Sequence, residues 1–122
     1  AMHWNASQKA RAMLVVWEKN RMDLREKQLM RTYKSWRRNQ PTTHQRTLQM
    51  KRCGKKCFLG SKKSFPVCNA GTCQPSKGGV LSAYVRAREM TRRARNNSIK
   101  KHAASYYYKI AKRAKTLLRK LF

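Results

Sequence analysis

The sequence predicts a mainly α protein with a long N-terminal helix, a short cysteine-braced loop or hairpin segment, and two C-terminal amphipathic helices. Three observations carry this class. No Gly or Pro interrupts the stretch from Ser7 to Gln40. All four cysteines and all five glycines fall between Cys53 and Gly79. From Val80 onward, apolar residues recur at three- and four-residue steps, the spacing of one helical face.

One long helix, or two abutting ones, follows from the good helix formers of this stretch. Asn5 or Ser7 is the expected cap, and Gln40-Pro41 the end, because Pro41 removes a backbone donor and restricts the residue before it. Ala10, Met13, Leu14 and Trp17 make one apolar stripe, and Met22, Leu29, Tyr33 and Trp36 make a second rotated from it. A bend, or contact with two different surfaces, explains the rotation. Trp4, Trp17 and Trp36 read as packing anchors. Residues 1–40 thus form a helical extension or bridging arm, and 41–122 a small cysteine-braced helical domain.

Thr42 or Thr43 caps a short helix through Met50, closed by Gly54. The glycine- and proline-rich stretch that follows excludes a long helix. Within it, Cys57-Phe58-Leu59 and Phe65-Pro66-Val67-Cys68 are expected to pair as a small hairpin. Val80, Ala83, Tyr84, Ala87, Met90 and Ala94 then mark a helical face, and Asn96-Asn97-Ser98 breaks it and caps the next helix. From Ile99 through Ala103, Tyr106, Tyr107, Ile110, Ala114, Leu117, Leu118 and Leu121 the amphipathic spacing resumes, so these two helices form an antiparallel or angled pair.

Charge sets the functional frame. Thirty-one Lys and Arg against four Asp and Glu give the 122-residue chain a formal charge of +27. A solvated surface does not offset repulsion among so many like charges in a compact body, so the surface is expected to meet an anion. The candidate positions are Arg86, Arg88, Arg92, Arg93, Arg95, Lys100 and Lys101, then Lys109, Lys112, Arg113, Lys115, Arg119 and Lys120. Their expected partners are acidic faces of other structural proteins or nucleic-acid phosphates, with peripheral contact to a membrane surface as a further option and no small-molecule substrate. No apolar run approaches the roughly 18 residues needed to span a bilayer, and the first residues lack the apolar core of a signal peptide, which places the expected site of synthesis in the cytoplasm or nucleus.

The cysteines follow C-x3-C-x10-C-x4-C. Cys53, Cys57, Cys68 and Cys73 fit a tetrahedral zinc site, since pairs two to four residues apart place two thiolates on one turn. They equally fit two disulfides, Cys57 with Cys68 across the hairpin and Cys53 with Cys73 outside it, which require an oxidising setting or an assembled particle. One structural zinc is therefore the cofactor expectation if the first arrangement holds. In either case the role is a brace for a small core. A catalytic thiol is not expected: His3, His44 and His102 are scattered, and no Cys-x-x-Cys pair occurs. With four carboxylates, three of them in the Glu18–Glu26 window, and no Walker, GxGxxG or GxSxG motif, the chain has no acid/base couple or nucleotide loop, and it reads as a non-enzyme.

The segments Gly54-Lys55-Lys56-Cys57-Phe58-Leu59, Phe65-Pro66-Val67-Cys68 and Lys77-Gly78-Gly79-Val80-Leu81-Ser82-Ala83-Tyr84-Val85-Arg86-Ala87-Arg88 resemble those of small, basic virion proteins of large nucleocytoplasmic DNA viruses, including chlorella viruses. The resemblance covers roughly residues 54–122. It implies a structural particle component, either a minor capsid protein that cements neighbouring subunits or a protein associated with the packaged genome, located in the capsid layer or interior of a virion. The alternative is a nucleic-acid-binding protein of ribosomal type.

Overall fold

The computed structural model describes Gln8, Ala10 and residues 24–121. Its elements are α1 (Leu24–Asn39), α2 (Thr43–Cys53), a 3-10 turn (Gly54–Cys57), α3 (Lys77–Arg95) and α4 (Ala104–Leu121). The mainly α class stands, and the described residues contain only isolated β-bridges, Phe58 with Pro66 and Cys68 with Pro75. Gln8 and Ala10 are helical. The expected Asn5 or Ser7 cap, Trp4, Trp17 and most of the first apolar stripe lie outside the described residues.

Each boundary has a local cause. Helix α1 stops before Gln40-Pro41, as the missing proline donor requires. Thr42 then caps α2 through a reciprocal pair: its hydroxyl accepts from the Gln45 N–H at 3.2 Å, and the Gln45 side chain accepts from the Thr42 N–H at 2.8 Å. This capping box satisfies two helix-end donors, and loss of its threonine would cost about 1 kcal/mol. The helix runs three residues past the expected Met50, to Cys53, where Gly54 at φ 72° closes it and donates to the Met50 carbonyl.

The expected hairpin forms as a short ladder. Leu59 donates to Phe65 at 3.1 Å and Val67 to Cys57 at 2.9 Å. At its tip, the Ser64 N–H donates to the Ser61 carbonyl at 3.1 Å, and Lys62 and Lys63 both have positive φ, 54° and 62°. Two successive positive-φ residues are what a tight hairpin turn of right-handed strand twist demands, although Asn and Gly take these positions more readily than lysine.

Helix α3 begins earlier than its periodicity indicates. Ser76 caps it by accepting from the Gly79 N–H at 2.9 Å, so Gly78 and Gly79 are first-turn helix residues and not loop. Their purpose is close approach. A Cβ on Gly78 would meet the Thr32 carbonyl at 2.7 Å, and one on Gly79 the Val67 carbonyl at 2.5 Å. The bare backbone lets α1 and the hairpin both press on the start of α3.

That makes α3 the central element, buried on two sides. Val80 and Ala83 pack with Val67, Phe58, Ala114 and the buried Cys57 and Cys68, and Ala87 packs with Ile110 and Ala111 of α4. On the other side, Leu81 and Val85 meet Tyr33 of α1 and Ala10. Trp36 is buried, as its expected anchoring role requires. The second apolar pattern starts later than expected: Asn97, at φ 55°, and the Ser98 N–H bonded to the Arg93 carbonyl at 2.9 Å close α3. Residues 99–103 are a connector, and α4 starts at Ala104.

Candidate anion interface

The site is built on a covalent brace. Cys53 bonds to Cys73 and Cys57 to Cys68, leaving no free cysteine among the described residues. This overturns the zinc expectation for Cys53, Cys57, Cys68 and Cys73. Among the described residues no group of three or more His, Cys, Asp or Glu converges as a metal site would. The reason is topological. The hairpin sets Cys57 opposite Cys68 with Cα atoms 5.1 Å apart, while the end of α2 meets the following loop at Cys53 and Cys73, 5.3 Å apart. Both separations suit a disulfide, and the sulfurs are consumed in pairs.

Gln49, buried on α2, completes the brace. Its amide donates to the Asn69 and Thr72 carbonyls, both at 2.9 Å, holding the loop between Cys68 and Cys73 against the helix. The whole segment from α2 to the start of α3 is thus tied down by two disulfides and this bidentate amide.

Around this body the candidate cations divide into three groups. On α3, Arg86 and Arg93 stand seven residues apart on one exposed edge, and Arg88 and Arg95 on another, because the two sides between them are buried. Arg88 folds back along its own helix, donating to the Tyr84 hydroxyl at 3.0 Å with its guanidinium 5.6 Å from that ring. Arg92 pairs with the buried Glu89 at 3.1 Å, so it serves the helix more than the surface. Lys100 and Lys101 lie exposed on the connector.

Helix α4 carries the third group, and it contains no acidic residue. Lys112, Lys115 and Arg119 follow Tyr108 at helical steps of four, three and four, so these four share the outward stripe. All four are exposed, Tyr108 by 52%. Lys109, Arg113 and Lys120 fall on one flank of that stripe. Arg113 reaches over to the Leu59 carbonyl at 3.4 Å and so links α4 to the hairpin.

The three consecutive tyrosines have three different fates. Tyr107 is 2% exposed and belongs to the core. Tyr106 is half-buried, stacked on His102 with ring centroids 3.9 Å apart, and its hydroxyl receives the Ser61 N–H at 2.8 Å. Periodicity assigns both to the apolar face, which holds, but it misses the hydrogen bond across 45 residues that pins the hairpin to α4. Tyr108 is the one free to meet a partner.

Their ionisation differs accordingly. Burial pushes the Tyr106 hydroxyl up, but hydrogen bonds from Ser61 and Ser64 and the charge of Lys101 outweigh it, leaving the group below the ordinary tyrosine range. Burial, reinforced by Tyr106 and opposed by Arg86, holds Tyr107 above that range. In an alkaline titration followed by phenolate absorbance, Tyr106 is expected to ionise before the ordinary tyrosine value of about 10, and Tyr106→Phe to remove that early phase. An early phase that survives the substitution would refute the assignment. Because the fold favours neutral Tyr107, its contribution is present below the ordinary value and lost as pH rises through the raised one.

One further feature was not legible in the sequence. An open groove of about 730 Å³ runs between the hairpin and α4, floored by Leu59, Ile110 and Leu117 and edged by Lys109, Lys112 and Arg113. Leu59 and the α4 residues are roughly fifty positions apart, so no local pattern joins them. No helix among the described residues is long and apolar enough to cross a membrane.

Comparison of the chain with protein-family models, with curated proteins and with solved structures finds no match in any of the three.

Proposed function

We propose that this chain is a non-enzymatic structural component of a large assembly, a minor capsid or internal virion protein that holds neighbouring subunits together through its basic helices. The observation that carries the reading is α4, an 18-residue helix with one buried apolar face, an exposed face of lysines and arginines, and no acidic residue of its own. An anionic partner relieves the repulsion on such a face. The disulfide-braced hairpin beneath gives the face a fixed geometry, which suits a cementing role. Disulfides persist on extracellular proteins and virion surfaces and are rare in the cytosol, which favours residence in an assembled particle over a free cytosolic protein. The motifs between Gly54 and Arg88 supply the viral context.

A specific observation favours a second reading, nucleic-acid binding. Tyr108 stands exposed in line with Lys112, Lys115 and Arg119, an arrangement in which a ring can stack on an unpaired base while the cations follow phosphates.

Cross-linking of the intact assembly separates the two. Amine-reactive reagents followed by mass spectrometry are expected to join Lys109, Lys112, Lys115 or Lys120 to other structural proteins. Ultraviolet cross-links from Tyr108 to nucleotides, with no protein links from these lysines, would overturn the structural reading in favour of the second.

A further inference from the structure

We infer that the groove between the hairpin and α4 docks an acidic amphipathic segment of a partner protein, with apolar side chains on its floor and carboxylates on its rim. The inference rests on the structural-component reading and names the chemistry of the partner.

The argument is one of complementarity. The floor is aliphatic: Leu59 from the hairpin, Ile110 and Leu117 from α4. The rim residues Lys109, Lys112 and Arg113 are all cationic and all exposed, and among the described residues no acid lines the groove. A segment presenting leucine-like residues at i, i+3 and i+7 fills such a groove in the manner of a helix laid on an apolar surface. Glutamate or aspartate at its flanks then meets the rim, where attraction steers association and fixes register.

Other occupants fit less well. A small molecule needs enclosure of most of its surface, and this groove is open along its length. A nucleic acid would need an aromatic platform, but among the described residues the only aromatic ring in the lining is Tyr106. One face of that ring is covered by His102, and its hydroxyl is engaged by Ser61. The exposed Tyr108 that suits a base lies on the outward stripe, outside the groove lining.

The groove is also fixed before a partner arrives. Leu59 is held through its N–H to Phe65 at 3.1 Å and through its carbonyl by Arg113, and the hairpin base is closed by the buried Cys57–Cys68 bridge. A preformed groove spares the ordering cost that otherwise reduces affinity.

The test uses the oxidised full chain and four probes at physiological ionic strength: a short fluorescent peptide with leucines at i, i+3 and i+7 and glutamates between them, the same residues scrambled, a thymidine oligonucleotide, and vesicles of phosphatidylcholine with phosphatidylserine. The patterned peptide is expected to bind at least about tenfold more tightly than the scrambled one, the worth of seating one or two leucines. Lys112→Glu, where the outward stripe meets the groove rim, should weaken it about tenfold, and Lys115→Glu, on the same stripe but outside the groove lining, far less, although both are exposed and change the net charge equally. Thr116 also lines the groove, and Thr116→Trp, which fills it without altering charge, should abolish the preference for the patterned peptide.

Equal binding of the two peptides, or equal loss from Lys112→Glu and Lys115→Glu, would mean undifferentiated electrostatics; the groove inference then fails while the proposed docking of anionic partners by the basic helices stands. Oligonucleotide or vesicle binding that Thr116→Trp removes would assign the groove to nucleic acid or lipid and overturn the inference. Absence of binding by all four probes would sink both.

Discussion

Replacing Cys57 and Cys68 together by alanine is expected to lower stability by about 3–5 kcal/mol and to leave much of the population unfolded at physiological temperature. Closing a loop of this length restricts the unfolded chain by roughly 3 kcal/mol. Both residues are fully buried among Phe58, Val67 and Val80, so removing the sulfurs also leaves a cavity with its own cost. The half-buried Cys53–Cys73 bridge closes a longer loop but has less packing to lose, and its double alanine variant should lose about 3 kcal/mol. Denaturant unfolding with and without a thiol reductant measures both. A reductant that leaves the unfolding midpoint unchanged would show that the bridges do not hold the fold, whereas sensitivity to a chelator and not to reductant would restore the metal.

The second large effect concerns Gly79→Ala, and its sign opposes local expectation. In a helix interior, alanine is favoured over glycine by about 1 kcal/mol. At Gly79, a Cβ would sit 2.5 Å from the Val67 carbonyl oxygen, 2.8 Å from its carbon and 2.9 Å from the Trp36 ring. The carbonyl is not free to retreat, because it accepts the Ser76 N–H at 2.7 Å. Overpacking against fixed backbone costs about 1–3 kcal/mol and outweighs the propensity gain of about 1 kcal/mol, so the variant should be destabilised by about 1 kcal/mol net, with loss of the near-ultraviolet signal from Trp36 packing. A raised melting temperature would mean that helix propensity governs the site and that α3 does not lie this close to the hairpin.

These two sites also mark how far local patterns reach. The cysteine spacing limits the chemistry to zinc or paired disulfides, because both want thiols a few residues apart. Choosing between them needs the Cα separations across the hairpin, which only the folded chain supplies. Gly78-Gly79 likewise resembles loop punctuation in sequence, since nothing local announces that Thr32 and Val67 occupy the space a side chain would take. The cap and the breakers were legible, as Thr42 or Thr43, Gly54 and Pro41, because they act through neighbours within four residues; that Gln45 completes a capping box with Thr42 came from the structure.

The same boundary runs through the interface. Composition alone makes the surface cationic, and periodicity puts Lys112, Lys115 and Arg119 on the outer face of the last helix. It does not reveal that Arg92 is drawn into an ion pair with Glu89, that Arg88 lies along Tyr84, or that Tyr106 is tied to Ser61.

By itself, then, the sequence determined the helical class, the stop at Pro41 and the cap that follows it, the basic faces and the need for a covalent or metallic brace, since each depends on near neighbours or on the sum of charges. Only the tertiary structure decided that the brace is two disulfides, that α3 is buried on two sides, and that Leu59 meets α4 in a groove with a cationic rim. Each of those joins residues from ten to more than fifty positions apart, and their meeting depends on how the helices and hairpin pack, which no local run of residues encodes.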